Sequence, residues 1–151
     1  MDFRSRAVRS LVELHERELR AFLATFERFR TSGKPLPDGL GDQAYASPSH
    51  LVTHVLGAAA GYLTWIGDRV GRPVAELSAS REIERIAPRT GEYLEEVLAA
   101  WRRHLAGLAD SEISPATHTS RWGEVFTLEQ MLEHAVVHPM RHRIQLERIL
   151  D

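Results

Sequence analysis

Apolar residues recur every three or four positions through several stretches of this chain, the period of a helix buried along one side. From 5 to 30 the stripe is Val8, Leu11, His15, Leu19, Phe22, Phe26 and Phe29, with charges between them. That period stops at residue 31. Residues 31–48 carry Gly33, Pro35, Pro37, Gly39 and Gly41, so they form a long loop. A loop of this length is a lid, an interface element or a crossing between distant helix ends. Ser47 then caps a second helix with Pro48 in its first turn, running to about Asp68 or Arg69.

The second helix is apolar nearly all round and contains Gly57, Ala58, Ala59, Ala60 and Gly61. Each glycine costs about 1 kcal/mol of helix propensity against alanine, which close backbone packing at the centre of the fold offsets. Gly71 and Pro73 end this element. A third helix is expected over 80–109, with Ile83, Ile86, Thr90, Tyr93, Val97, Trp101, His104 and Leu108 along one side. Pro88 either kinks it or sets its beginning apart as a separate turn. Residues 111–126 hold a turn at Trp122-Gly123 and allow a short extended excursion. Thr127 caps the last helix, and Gln130 completes a capping box. Its stripe is Leu128, Met131, Ala135, His138, His142, Leu146 and Ile149. Pro139 lies inside it, which predicts a local bend or widened turn, because it lacks an amide donor and crowds the Ala135 carbonyl.

Four such stripes are best buried against one another in an all-α four-helix bundle with a long loop between helices 1 and 2. An irregular three-helix array with an added helix is the weaker alternative. The 151 residues, 43% of them hydrophobic, suit one domain over 1–151 with one core. The absence of cysteine excludes disulfides, cysteine–zinc sites and a cysteine nucleophile. A formal charge of -2 without a long basic run argues against nucleic-acid binding. The apolar stretch from Leu51 to Ile66 is too short for a membrane span and contains His54. The arginines at 4, 6 and 9 leave no apolar core for a secretory signal. A cytoplasmic protein is expected.

The chemistry lies in the histidines. His134, His138 and His142 are spaced by four, so they stand one above another on the last helix. His138 and His142 lie on its apolar stripe, where buried ring nitrogens need partners. A metal ion would satisfy both, and a bundle supplies further ligands from facing helices. His50 and His54 form another pair four apart. His54 lies deeper in the apolar stretch and is the better third ligand. Three neutral imidazoles hold zinc, nickel or iron with positions left open. His134, His50 and His15 read better as structural residues, although His15 could support the ligands. His104 and His118 read as surface or loop-rim residues. Glu133, Gln145 and Glu147 are candidates to hydrogen-bond the ligand rings. The run His138-Pro139-Met140-Arg141-His142 lacks the glutamate of a zinc peptidase, and no Glu-x-x-His pair of the di-iron kind is present. Phosphate-binding loops and nucleophile elbows are absent as well.

HAVVHPMRHRIQLERI resembles the last-helix signature of the DinB-like (YfiT-like) family of metal-dependent four-helix bundles. The matching residues are His138, His142, Arg143 and Gln145. The family's first histidine matches His54 in SPSHLVTHVLGAAAGYLTWI, and RWGEVFTLEQMLEH resembles its lead-in to the last helix. The likeness covers essentially the whole chain. Two positions between the paired ligands that are often Glu and His are Pro139 and Arg141 here, and Ile144 replaces a common glycine. These departures leave the three ligand positions intact and bear on the metal's surroundings.

The resemblance implies a thiol-dependent transferase that uses a low-molecular-weight thiol on small electrophiles, with a small-molecule substrate and a homodimeric state. A metal-dependent hydrolase acting through bound water is the alternative, and a non-catalytic dimeric binding bundle the second. Arg141 or Arg143 would bind a substrate carboxylate or serve in a surface salt bridge. Trp65, Trp101 and Trp122 point the same way as the implied dimer, since a bundle this small need not bury all three.

Overall fold

The computed structural model describes residues 2–37, 41–78 and 81–151. Gly39 of the first loop, and residue 80, where the third helix was expected to begin, lie outside them. The fold is an all-α four-helix bundle. Its long helices are α1 (Arg6–Ser32), α2 (Pro48–Arg69), α4 (Thr90–Leu105) and α6 (Leu128–Leu150). Two single-turn helices, α3 (Ile83–Ile86) and α5 (Asp110–Ile113), and a hairpin of β1 (Thr117–Thr119) and β2 (Val125–Thr127) complete it. None of the helices described is long and apolar enough to cross a membrane.

Local chemistry sets the helix ends. Ser5 accepts from the Val8 amide and starts α1, and Gly33, at φ 69°, closes it in the left-handed conformation that glycine adopts without a steric penalty. Ser47 accepts from the His50 amide, with Pro48 in the first turn of α2. Thr127 and Gln130 form the expected reciprocal cap on α6. Thr127 is also the last residue of β2, so the hairpin feeds directly into that helix. Its register pairs Thr117 with Thr127, His118 with Phe126 and Thr119 with Val125, and Gly123, at φ 94°, turns its tip.

α2 is the central element, buried on almost every side from Leu51 to Gly67. It packs against both α4 and α6, while α1 packs most extensively against α6. Trp101 on α4 donates its indole N–H to the Ala59 carbonyl of α2 at 3.0 Å. Glu18 of α1, 4% exposed, accepts from Arg143 of α6 at 3.1 Å. Arg143 also pairs with Glu147 at 2.7 Å, so this arginine ties two helices together and is not free for a substrate.

Of the two outcomes expected at Pro88, a kink or a separate first turn, the structure has the separate turn, and the helix that follows ends short of residue 109. Pro88 sits in a 3-10 turn over Ala87–Arg89 that separates α3 from α4, and α4 stops at Leu105. A proline has no amide for an α-helical bond and disfavours the α conformation in the residue before it, so the earlier residues form a turn of their own. His104 pairs with Glu76 at 2.7 Å at the edge of the bundle. The widened turn anticipated at Pro139 is absent, since α6 stays α-helical through it. The first loop is not wholly irregular either: Gln43–Tyr45 form a 3-10 turn capped by Asp42.

The α2 glycines only partly serve close backbone packing. At Gly67 a Cβ would lie 2.7 Å from the Arg72 carbonyl oxygen, where the chain folds back to donate the Arg72 amide to Gly67. At Gly57 and Gly61 the nearest atoms belong to the side chains of Arg81 and Arg121. Trp65 and Trp101 are buried within the monomer and only Trp122 is half exposed, so two of the three tryptophans need no partner subunit.

His15 is fully enclosed on α1. Its ring lies 3.9 Å from that of Trp101, and both ring nitrogens lack hydrogen-bond partners. Burial lowers its pKa to about 3. That value lies below the unfolded one of 6.5, so the unfolded chain binds the proton first as pH falls. Stability present above 6.5 is therefore lost progressively toward 3. In urea melts, His15→Leu is expected to remove about 2 kcal/mol of the stability difference between about pH 8 and about pH 5. An unaltered pH slope would refute that assignment. Gly67→Ala should cost about 1–3 kcal/mol, because backbone has to move, and a thermal melt measures it.

Candidate metal centre

α2 and α6 bring three histidines to one point. His54 rises from the second turn of α2, and His138 and His142 lie one turn apart on the facing side of α6. One ring nitrogen of each lies within 4.8 Å of the others. His54 Nε2 and His138 Nε2 are 2.9 Å apart. The ring centroids are 4.8 Å apart for His54 and His138, 5.1 Å for His54 and His142, and 4.9 Å for the α6 pair. No carboxylate joins the cluster among the described residues.

The environment keeps these rings neutral. Burial, then the neighbouring histidines and Arg141, lower the His138 pKa to about 2. His142 is lowered to about 4, chiefly by burial and then by His54 and Arg141. His54 is lowered by burial and by Arg81. Neutral imidazole is the metal-binding form. The donor set also fits a metal. Tyr45 Oη lies 3.0 Å from His142 Nδ1 and donates to Gln145 Oε1. With its own proton given to Gln145, the phenol accepts from His142 Nδ1–H. That tautomer leaves a lone pair on His142 Nε2, which is buried without a partner.

His54 is poised differently. Arg81 Nη1 lies 3.1 Å from His54 Nδ1, and a guanidinium only donates. His54 Nδ1 is therefore the acceptor, Nε2 carries the proton, and His138 Nε2 receives it. This places the His138 proton on Nδ1, which is buried and without a partner. The orphaned lone pair of His142 Nε2 and the convergence of one ring nitrogen from each histidine suit a divalent ion held by His54, His138 and His142.

The other histidines stay outside the cluster. His50 bonds Ser47 Oγ at 2.8 Å through Nδ1. His134 packs among Tyr62, Trp122 and Phe126, with ring centroids 5.4, 5.4 and 5.7 Å away. His118 meets Trp65 edge-on at 6.0 Å. Of the polar residues expected to support the ligands, Gln145 reaches His142 through Tyr45, Glu147 is held by Arg143, and Glu133 is exposed. Arg141 is exposed and its charge acts on all three clustered rings.

Tyr45, Arg81 and Tyr62 are the residues that sequence reasoning missed. Tyr45 is the sole aromatic residue in the 31–48 loop, a usable signal once a histidine needs a partner. Arg81 stands in an irregular connection with no periodic signal. Tyr62 reads as ordinary core, yet its ring lies edge-on to His138 at 5.8 Å.

No family model, curated protein or solved structure matches this chain. The bundle and its buried tri-histidine cluster, capable of coordinating a metal ion, are consistent with a DinB-like metal-binding fold.

Tyr45→Phe should lower metal affinity about 10–100-fold while leaving the circular dichroism spectrum unchanged, as read by competition with a chelating dye. Unchanged affinity would reduce Tyr45 to a packing residue.

Proposed function

We propose that this chain is a metal-dependent enzyme of the DinB-like family, a thiol-dependent transferase acting on small electrophiles at His54, His138 and His142. The observation that carries the proposal is the convergence of three neutral ring nitrogens within 4.8 Å, one of them the partnerless His142 Nε2. A divalent ion there, zinc, nickel or iron, would supply Lewis acidity and lower the pKa of a thiol in its open position.

The chain's own residues prepare that position. Tyr45 and Gln145 fix the tautomer of His142. Tyr62 stays protonated, its pKa raised to about 12 by burial, and its ring walls the His138 side. A divalent ion would acidify a thiol or a water in that position alike. The thiol starts from a far lower pKa than water and is the nucleophile more readily ionised there, which favours the transferase over the hydrolase. The resemblance of the last helix to the family signature points the same way.

Protein purified without chelators should contain about one equivalent of divalent metal, and His138→Ala should contain almost none. With a low-molecular-weight thiol, the wild type should consume small electrophiles and the variant should not, while neither hydrolyses esters. Metal-free wild type whose melting temperature ignores added zinc would sink the metal site. Metal-dependent ester hydrolysis without thiol would select the hydrolase, and stoichiometric metal with no turnover the binding bundle.

A further inference from the structure

Beside the histidine cluster, on the other side of Tyr62, lies a cavity of about 70 Å³ lined by Arg81, Arg121, Tyr62, Trp65 and Trp122 among others. None of its lining residues is acidic. Among the described residues, its two guanidiniums bond only neutral partners. Arg121 donates to the Gly61 carbonyl at 3.3 Å and to Thr64 Oγ1 at 3.1 Å, and Arg81 donates to His54. Several other arginines face glutamates, as in Arg20–Glu95, Arg72–Glu112 and Arg143–Glu18, whereas Arg69, like Arg121, donates to a backbone carbonyl. Two exposed guanidiniums that line one cavity can both donate to an anion held between them.

α2 makes room for Arg81 at Gly57, while Gly61 adjoins Arg121 at ordinary contact distance. Gly57 and Gly61 lie one turn apart, and a Cβ at 57 would stand 2.9 Å from Arg81 Cγ. At Gly61 it would stand 3.5 Å from Arg121 Nη1. The opposite wall is aromatic. Trp122, 50% exposed, sits at the hairpin tip with its ring 6.2 Å from Tyr62 and 5.4 Å from His134. The cavity holds a carboxylate head but not a whole substrate, and the open face of Trp122 offers a stacking surface for the rest.

We propose that this site takes a small aromatic or otherwise planar carboxylate, its anionic end held by Arg81 and Arg121 and its body against Trp122. The proposal rests on the metal reading only for its role as the substrate pocket. The cavity shares Tyr62 with the cluster, and the Tyr62 ring lies 5.8 Å from that of His138.

The test is quenching of tryptophan fluorescence by benzoate, with benzamide as the neutral counterpart and inorganic phosphate as the anion without a ring. Metal content is determined on the same samples. Benzoate should bind at least about tenfold more tightly than benzamide, and more tightly than phosphate. Arg121→Gln should abolish the preference for benzoate while leaving benzamide affinity and metal content unchanged, and Arg81→Gln should abolish the same preference with benzamide affinity unchanged. Equal binding of benzoate and benzamide by the wild type would overturn the proposal. So would an Arg121→Gln variant that weakens both ligands alike, since that marks the arginine as a prop for the hairpin. Phosphate binding as tight as benzoate would overturn the planar half. Metal-free protein that still prefers benzoate would defeat the metal reading alone, and metal-loaded protein without the preference would defeat this one alone.

Discussion

Three imidazoles packed against one another, two of them buried and none joined by a carboxylate among the described residues, have to be neutral, and much of the site's chemistry follows from that constraint. Charging any one would place a cation beside two polar rings in a water-poor interior, where burial already holds His138 and His142 far below the ordinary histidine range. Neutral rings each present one donor and one acceptor nitrogen. The surrounding hydrogen bonds then decide which nitrogen carries the proton. Tyr45 and Gln145 settle this for His142, and Arg81 settles it for His54. The arrangement leaves an unused acceptor on one ring and an unused donor on another, a mismatch that the protein groups around them do not resolve.

The bundle is what makes such a mismatch tolerable. α2 is apolar on nearly every face and is enclosed by its neighbours, so His54 is fixed by packing around the whole helix. α6 is held to α1 through Arg143 and Glu18, which secures the register of the helix that carries His138 and His142. Pro139 stands between the two α6 ligands without breaking the helix. The energy that orders the cluster therefore comes from apolar burial around it, and the polar site inherits its geometry from the core.

Periodicity made the main helices legible because each has a stripe that has to be buried. The same logic located His138 and His142, which occupy stripe positions where an apolar residue would otherwise stand. His54 was legible from its depth in α2. The apolar spacing over 80–109 continues across Pro88 and leaves a kinked helix and a separate first turn both open, and the missing amide decides for turn and helix. Tyr45, Arg81 and Arg121 were not legible as site residues. They reach the site from a 3-10 turn, an irregular connection and a hairpin tip, where position depends on tertiary packing and leaves no period in the sequence. The two α2 glycines were assigned to backbone packing, while the structure places arginine side chains over them.

Arg81 connects the two halves of the site. Its guanidinium can only donate, and His54 Nδ1 accepts from it while His54 Nε2 holds the proton. When His54 Nε2 gives its lone pair to an ion, the neutral ring keeps its proton on Nδ1 and Arg81 loses its acceptor. The same side chain borders the cavity it shares with Arg121, where a carboxylate would accept in place of the imidazole. An ion at the histidines and an anion at the arginines thus favour the same departure of Arg81 from His54. Ligands that favour one state of a shared element strengthen each other's binding reciprocally. On this argument a substrate that carries its own negative charge would be favoured, because that charge would give Arg81 a partner if an ion at the histidines took the previous one.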